Sequence, residues 1–278
     1  MAISEKLKAQ VEAMPAPDSG GLLSGIDEKT VDAALAAISA LGREGVVGLV
    51  EMLVEPKKGG DVKARYALHA LATQAGAKPE AERRAFATAL ASTLGGERPK
   101  SVQGFVVRQL QVAGGEEVAA SLGKLLLDDD LCEYAAQALL AIGKGAAAQF
   151  RTALGSTKGG TRLTVVQALG VLRDASSAAA VGKVAADKDR DTRLVALWSL
   201  ANIGDPASVD LLIRASDVKP THERTKATQA CLLLAERLLA AGRKKEPTRI
   251  YRHLRDTRTD ASERYVRDIA GQALNKIG

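Results

Sequence analysis

The chain repeats itself, and no other feature constrains its fold as strongly. TRLVALWSLANIGD, from Thr192, stands 31 residues after TRLTVVQALGVLRD, from Thr161. LCEYAAQALLAIGK lies 30 residues before that, at Leu131, and VQGFVVRQLQVAGG another 29 earlier, at Val102. The phrase returns as VRDIAGQALNKIG from Val266, more weakly as ERTKATQACLLLA from Glu223, and as TVDAALAAISALG from Thr30. DVKARYALHALATQAG, from Asp61, holds another copy whose register is ambiguous by three residues. That makes about eight copies, a period that signals a stacked-repeat architecture.

With the first residue of each phrase numbered 0, small or apolar residues recur at positions 0, 4, 7, 8 and 11. At about 100° per residue these positions share one side of a helix. Glycine often follows at position 12, as Gly42, Gly114, Gly143, Gly204 and Gly278, where a helix takes a left-handed C-terminal residue. A second apolar-periodic run comes next, such as EEVAASLGKLLL from Glu116, SSAAAVGKVAA from Ser176 or PASVDLLIRA from Pro206. Each unit therefore reads as helix, turn, helix. Such a pair cannot bury its own apolar faces, whereas a stack of pairs can, and alanine at positions 4 and 7 lets neighbouring helices approach closely.

The expected fold is all-α: a right-handed α-solenoid, or superhelix, of about eight helix pairs. Residues 1–25, ending in MPAPDSGGLLSG, read as an N-terminal helix and linker or cap, and residues 26–278 as the repeat array. Spacing stretches to about 40 residues around 72–100 and to 43 between Arg224 and Arg267, so 219–278 forms lengthened C-terminal repeats. ATQACLLLAERLLAAGRKKEPTRIYRHLRD in that stretch is similar to a tetratricopeptide-style hairpin, whose longer helices would project beyond the solenoid wall.

Composition agrees with this reading. There are 50 alanines against three Phe, four Tyr and one Trp, a poor basis for a β-sandwich or barrel. A charged fraction of 26% and a hydrophobic fraction of 46% exclude collagen-like and disordered chains. The opening MAISEKLKAQ lacks the apolar core of a signal peptide, and no window approaches 18 uncharged apolar residues. A cytoplasmic location without membrane contact is expected, with Cys132 and Cys231 as buried reduced thiols.

The phrase V-R-x-x-A-x-x-A-L-x-x-I-G followed by D-P-A, clearest at 191–213 and 266–278, is similar to the short HEAT repeats of bacterial proteins, including the HEAT-like repeats of phycobilisome lyases. The resemblance implies a binding surface or scaffold for a protein partner.

No catalytic constellation stands out. His69, His222 and His253 share no metal-ligand spacing with Cys or acidic residues, GSTKGG at 155–160 lacks P-loop spacing, and Asp128–Asp130 reads as a helix-capping acidic turn. No cofactor or metal is expected.

Three residue sets are candidates instead. Arg162, Arg193, Arg224 and Arg267 hold position 1, and Asp174 and Asp205 the turns after two of these helices. By the resemblance this is a structural ladder between repeats; a basic track for an anion is the alternative. Position 6 lies about 140° from the centre of the apolar face and holds Arg108, Gln137, Gln167, Trp198, Gln229 and Gln272. If the resemblance holds, this row lines the concave surface, with Trp198 an aromatic anchor among glutamines. The competing reading packs Trp198 sideways onto the next repeat, with the glutamines hydrogen-bonding between helices.

The third set is basic. From Lys219 onward there are 14 Lys and Arg against seven Asp and Glu, a net of +7 in a chain of +6. Arg243, Lys244, Lys245, Arg249, Arg252, Arg255 and Arg258 would cover a broad helical flank facing an anionic partner. HEAT-like DNA glycosylases hold DNA, but their catalytic residues find no matching positions here.

The favoured expectation is a non-catalytic scaffold that binds a protein or peptide in a concave groove. The alternatives are a nucleic-acid-binding solenoid using the basic third, or a lyase-like or chaperone-like partner of a cofactor enzyme. A final repeat helix with no polar repeat beyond it also raises a homo-oligomeric contact.

Overall fold

A computed structural model of the chain describes residues 3–18, 26–56 and 58–277. The linker residues 19–25 and the cap expected at Gly278 lie outside the described residues. All regular structure among the described residues is helical, and the chain divides into two compact units, Met1–Gln149 and Phe150–Gly278, described separately below.

The first unit holds α1 (Glu5–Glu12), α2 (Glu28–Ala40), α3 (Arg43–Glu51), α4 (Val62–Ala75), α5 (Glu80–Ala91), α6 (Lys100–Ala113), α7 (Glu116–Leu125) and α8 (Cys132–Ile142). The division falls within α9 (Ala146–Leu154). The second unit continues with α10 (Gly159–Val171), α11 (Ala178–Val184), α12 (Arg190–Ile203), α13 (Val209–Ser216), α14 (His222–Ala240), α15 (Lys245–Thr257) and α16 (Arg264–Ile277). Short 3-10 turns at Ala175–Ser177, Pro206–Ser208 and Ala261–Glu263 lead into α11, α13 and α16.

The eight sequence phrases are the eight even-numbered helices from α2 to α16, and the intervening runs are the odd-numbered ones. Each unit is thus a stack of helix pairs, the α-solenoid arrangement in which a pair buries its apolar side only against its neighbours. In the first unit α2, α4, α6 and α8 pack side by side, and in the second α10, α12 and α14 do so. In the second unit these even-numbered helices pack on one another more extensively than the odd-numbered ones do.

Period-3.6 positions build the core. Position 8 contributes Ile38, Leu110, Leu139, Leu169, Leu200 and Cys231, all buried. Position 4 contributes Ala34, Ala135, Ala196, Ala227 and Ala270, small enough for the helices to close up. Both cysteines are buried and neither forms a disulfide, and burial pushes the Cys231 thiol up to about 12. Among the described residues no single helix is long and apolar enough to cross a membrane.

Two expectations need correction. Gly42, Gly143 and Gly204 take positive φ angles of 53°, 70° and 77° at the ends of their helices, but only Gly204, with ψ 23°, is the left-handed terminus expected. Gly114 takes no positive φ: its backbone is extended, with φ −74° and ψ 159°. Glycine is needed there for space, because a β-carbon would lie 2.4 Å from the Leu110 carbonyl oxygen. The added turns of α14, 19 residues long, also do not hang free of the stack, since Leu234, Ala235 and Leu238 are buried.

Candidate partner-binding surface

All six position-6 residues are exposed, each on an even-numbered helix. In the first unit Arg108 on α6 lies over the ring of Tyr134 at 5.1 Å from its centroid, and Gln137 on α8 donates to Glu133 in its own helix. In the second unit the row runs through Gln167 on α10, Trp198 on α12, Gln229 on α14 and Gln272 on α16. Gln167, Gln229 and Gln272 make no hydrogen bond to another described residue, so their amides do not tie helix to helix.

Trp198 is 38% exposed. The indole borders a shallow depression of about 490 Å³, also lined by Asp191, Leu194 and Val195 of α12 and by Lys226, Gln229 and Leu233 of α14. Asn202 donates from Nδ2 to the Trp198 carbonyl at 3.1 Å and accepts from Arg237 Nη2 at 3.3 Å, linking α12 to α14 beneath the depression.

Three apolar residues near this row escaped the sequence reading: the exposed Val171 and Ile269 and the half-buried Leu233. They occupy positions 3 and 10, one helical turn on either side of position 6. A search for apolar residues on the turns flanking position 6 would have found them.

The position-1 arginines hold partners other than Asp174 and Asp205. Arg162 donates to the Thr157 carbonyl behind it at 2.8 Å and to Asp187 ahead of it at 2.7 Å. Arg193 likewise holds the Asp187 and Lys188 carbonyls and reaches Glu223, and Arg224 holds the Val218 carbonyl and reaches Glu263. Arg267 donates to the carbonyls of Arg258 and Asp260. Each guanidinium fork thus fastens the loop before its own helix, and three of the four also grip a carboxylate of the following repeat. Asp174 and Asp205 are not the partners: Asp174 accepts from Arg151, and Asp205 caps the turn at Ala207. Gln103, at position 1 of α6, does the same backbone work by donating to the Arg98 carbonyl at 2.9 Å.

The basic flank is smaller than its sequence suggests. Arg258 does not belong to it: α15 ends at Thr257, and Arg258 is fully buried, donating to the Ser216 carbonyl and Oγ, Thr228 Oγ1 and Thr257 Oγ1. Burial and the neighbouring Arg224 push its pKa down from the ordinary arginine value. Arg243 pairs with Glu246, Arg249 with Asp210 and Arg255 with Asp256, while Lys244 donates to the Ile277 carbonyl. Arg252 and Lys245 are exposed and form no ion pair among the described residues.

The remaining polar groups have local tasks. His69 bonds Gln109 and His253 bonds Asp217. Asp128 accepts from the Asp130 and Leu131 amides while pairing with Lys100, and Gly159 begins α10 from the GSTKGG turn. Among the described residues no group of three or more His, Cys, Asp or Glu is placed to hold a metal ion.

Stacked helix pairs fastened by a position-1 arginine ladder define an α-helical repeat protein. Residues 147–232 match the family model of HEAT repeats. Similar solved structures include an engineered protein, 19% identical, covering 99% of this chain and 82% of that one with a TM-score of 0.41. Another is the complex of CpcE and CpcF of phycocyanin lyase from Nostoc sp. PCC7120, 18% identical, covering 89% and 92% with a TM-score of 0.36. A second engineered protein is 19% identical, covering 99% and 97% with a TM-score of 0.26. None of the three bears on what this chain binds. No curated protein matches the chain.

Proposed function

We propose that the protein is a non-catalytic scaffold that binds a peptide segment of a partner protein along the even-numbered helices of its second unit, with Trp198 as the anchor. HEAT repeats generally present protein-interaction surfaces. The observation that carries the reading is the exposed row of Gln167, Trp198, Gln229 and Gln272, in which three amides have no partner among the described residues. An aromatic side chain supplies large contact area at low entropic cost, and the free amides offer donors and acceptors for a peptide backbone. The closer packing of the even-numbered helices favours that layer as the inner side of the stack. The nearby apolar residues Val171, Leu233 and Ile269 add area that water covers poorly.

The basic C-terminal third gives a nucleic-acid reading less support, because one of its arginines is buried and three others are paired within the chain. A pull-down from source-cell lysate, with and without nuclease, tests the proposal. A protein retained by the wild type, insensitive to nuclease and lost in Trp198→Ala agrees with it. Retention of nucleic acid that ignores Trp198→Ala and disappears on charge reversal of Arg249, Arg252 and Arg255 contradicts it.

A further inference from the structure

The first unit holds a cavity separate from the Trp198 surface. It has a volume of about 210 Å³ and lies where the end of α2, the start of α3, the end of α4 and one side of α5 meet. Its wall is apolar: Val46, Leu71, Ala75 and Ala89 are buried there, and Phe86 packs on the cluster of Ala72, Ala75 and Ala113. The space exceeds the roughly 150 Å³ apolar cavity that accepts a benzene ring.

Its rim is cationic. Arg43 borders the cavity and also an adjoining groove of about 420 Å³, which Arg84 lines as well. Both arginines are exposed and form no ion pair among the described residues. Lys78 is the third cation; it donates to Ser39 Oγ at 2.9 Å and stands 3.8 Å from Glu82, the one carboxylate on the cavity lining. The first turn of α3 has no side-chain cap, and Glu44 in that turn offsets the positive potential of its amides.

An apolar chamber bordered by the unpaired Arg43, with Arg84 in the adjoining groove, matches a ligand with an apolar body and a terminal anion. We propose that this cavity binds a small amphipathic carboxylate, a ring or short acyl chain seated against Val46, Leu71 and Phe86 with its carboxylate on Arg43. The assignment is independent of the peptide-binding reading of the second unit.

Calorimetric titration of the full chain with 3-phenylpropionate and with its uncharged amide tests it. The acid should saturate one site, and the amide should bind about tenfold more weakly or less. Arg43→Gln removes an exposed side chain with no partner to lose and should weaken the acid by a similar factor. Ala85→Leu, on the exposed wall, should abolish binding with the helical circular dichroism unchanged, and Trp198→Ala should leave it intact. Absence of saturable binding, equal affinity for acid and amide, or indifference to Arg43→Gln would overturn the proposal. So would a peptide ending in phenylalanine that binds where 3-phenylpropionate does not, because the pocket would then belong to a protein terminus.

Discussion

A β-carbon on Gly170 would lie 2.7 Å from the Cα of Ser199 and 2.6 Å from its Oγ, so α10 and α12 meet at a distance that only glycine permits. Ser199 uses the closeness: its buried hydroxyl donates to the Val166 carbonyl of α10 at 2.9 Å. The neighbouring helices α10 and α12 are therefore joined by a close backbone approach.

Gly170→Ala should destabilise the second unit. Overpacking costs about 1–3 kcal/mol, and here the clash is with main chain that cannot rotate away. Alanine's helix propensity returns about 1 kcal/mol, leaving a net loss of up to about 2 kcal/mol. Urea unfolding followed by circular dichroism measures it. Ser199→Ala, which loses one buried hydrogen bond and creates no clash, should cost about 1 kcal/mol.

Arg173 offers the opposite change. It is exposed and stands at position 12, where five other phrases place glycine, and it has the one positive φ of any non-glycine among the described residues, 52°. A left-handed L-residue costs about 1–2 kcal/mol, partly offset by the greater chain entropy that glycine loses on folding. Arg173→Gly should therefore stabilise the unit by about 0.5–1 kcal/mol, seen as a higher thermal midpoint.

Arg258 and Arg255 stand three residues apart in sequence and should behave very differently. Arg258→Ala leaves the Ser216 carbonyl and Thr228 hydroxyl without their buried donor, at a cost of about 3–5 kcal/mol. Arg255→Ala removes an exposed side chain paired only with the adjacent Asp256, and its denaturation midpoint should stay near that of the wild type.

These residues mark where the sequence was legible and where it was not. All eight phrases became helices, because 3.6-residue periodicity repeated at a fixed interval is a signal that local context rarely overrides. Position 6 was correctly placed on the surface by the same geometry. Arg258 was misplaced because the spacing Arg249, Arg252, Arg255, Arg258 carries no mark that the helix stops at Thr257 and the next side chain turns inward. Asp174 and Asp205 kept the 31-residue interval of the arginines, yet the carboxylates actually gripped are Asp187, Glu223 and Glu263, whose uneven spacing no periodic search detects. The cavity beside Phe86 depends on how three helix ends and one side of α5 meet, which no single stretch of sequence records.

Acid should weaken the fold. The backbone amide of Asp189 and the Arg162 guanidinium hold the Asp187 carboxyl below its usual range. Burial raises that of Glu117, but hydrogen bonds from Arg83 and backbone amides outweigh it, and its pKa also falls. A depressed pKa in the folded state gives stability that is present above the unfolded value of about 4 and lost as pH drops through the folded one. The thermal midpoint should thus hold steady from neutrality to about pH 5 and fall below pH 4, and Asp187→Asn should flatten that fall.

The scaffold reading rests on the face that carries Trp198, and site-specific photo-crosslinking in the source cell tests it most directly. A photoreactive amino acid replaces Gln229 in one variant and Arg252 in another. The account predicts discrete protein adducts from position 229 that vanish when Trp198→Ala is added. Adducts at 229 that persist without the tryptophan, or nucleic-acid adducts at 252 with none at 229, would contradict it.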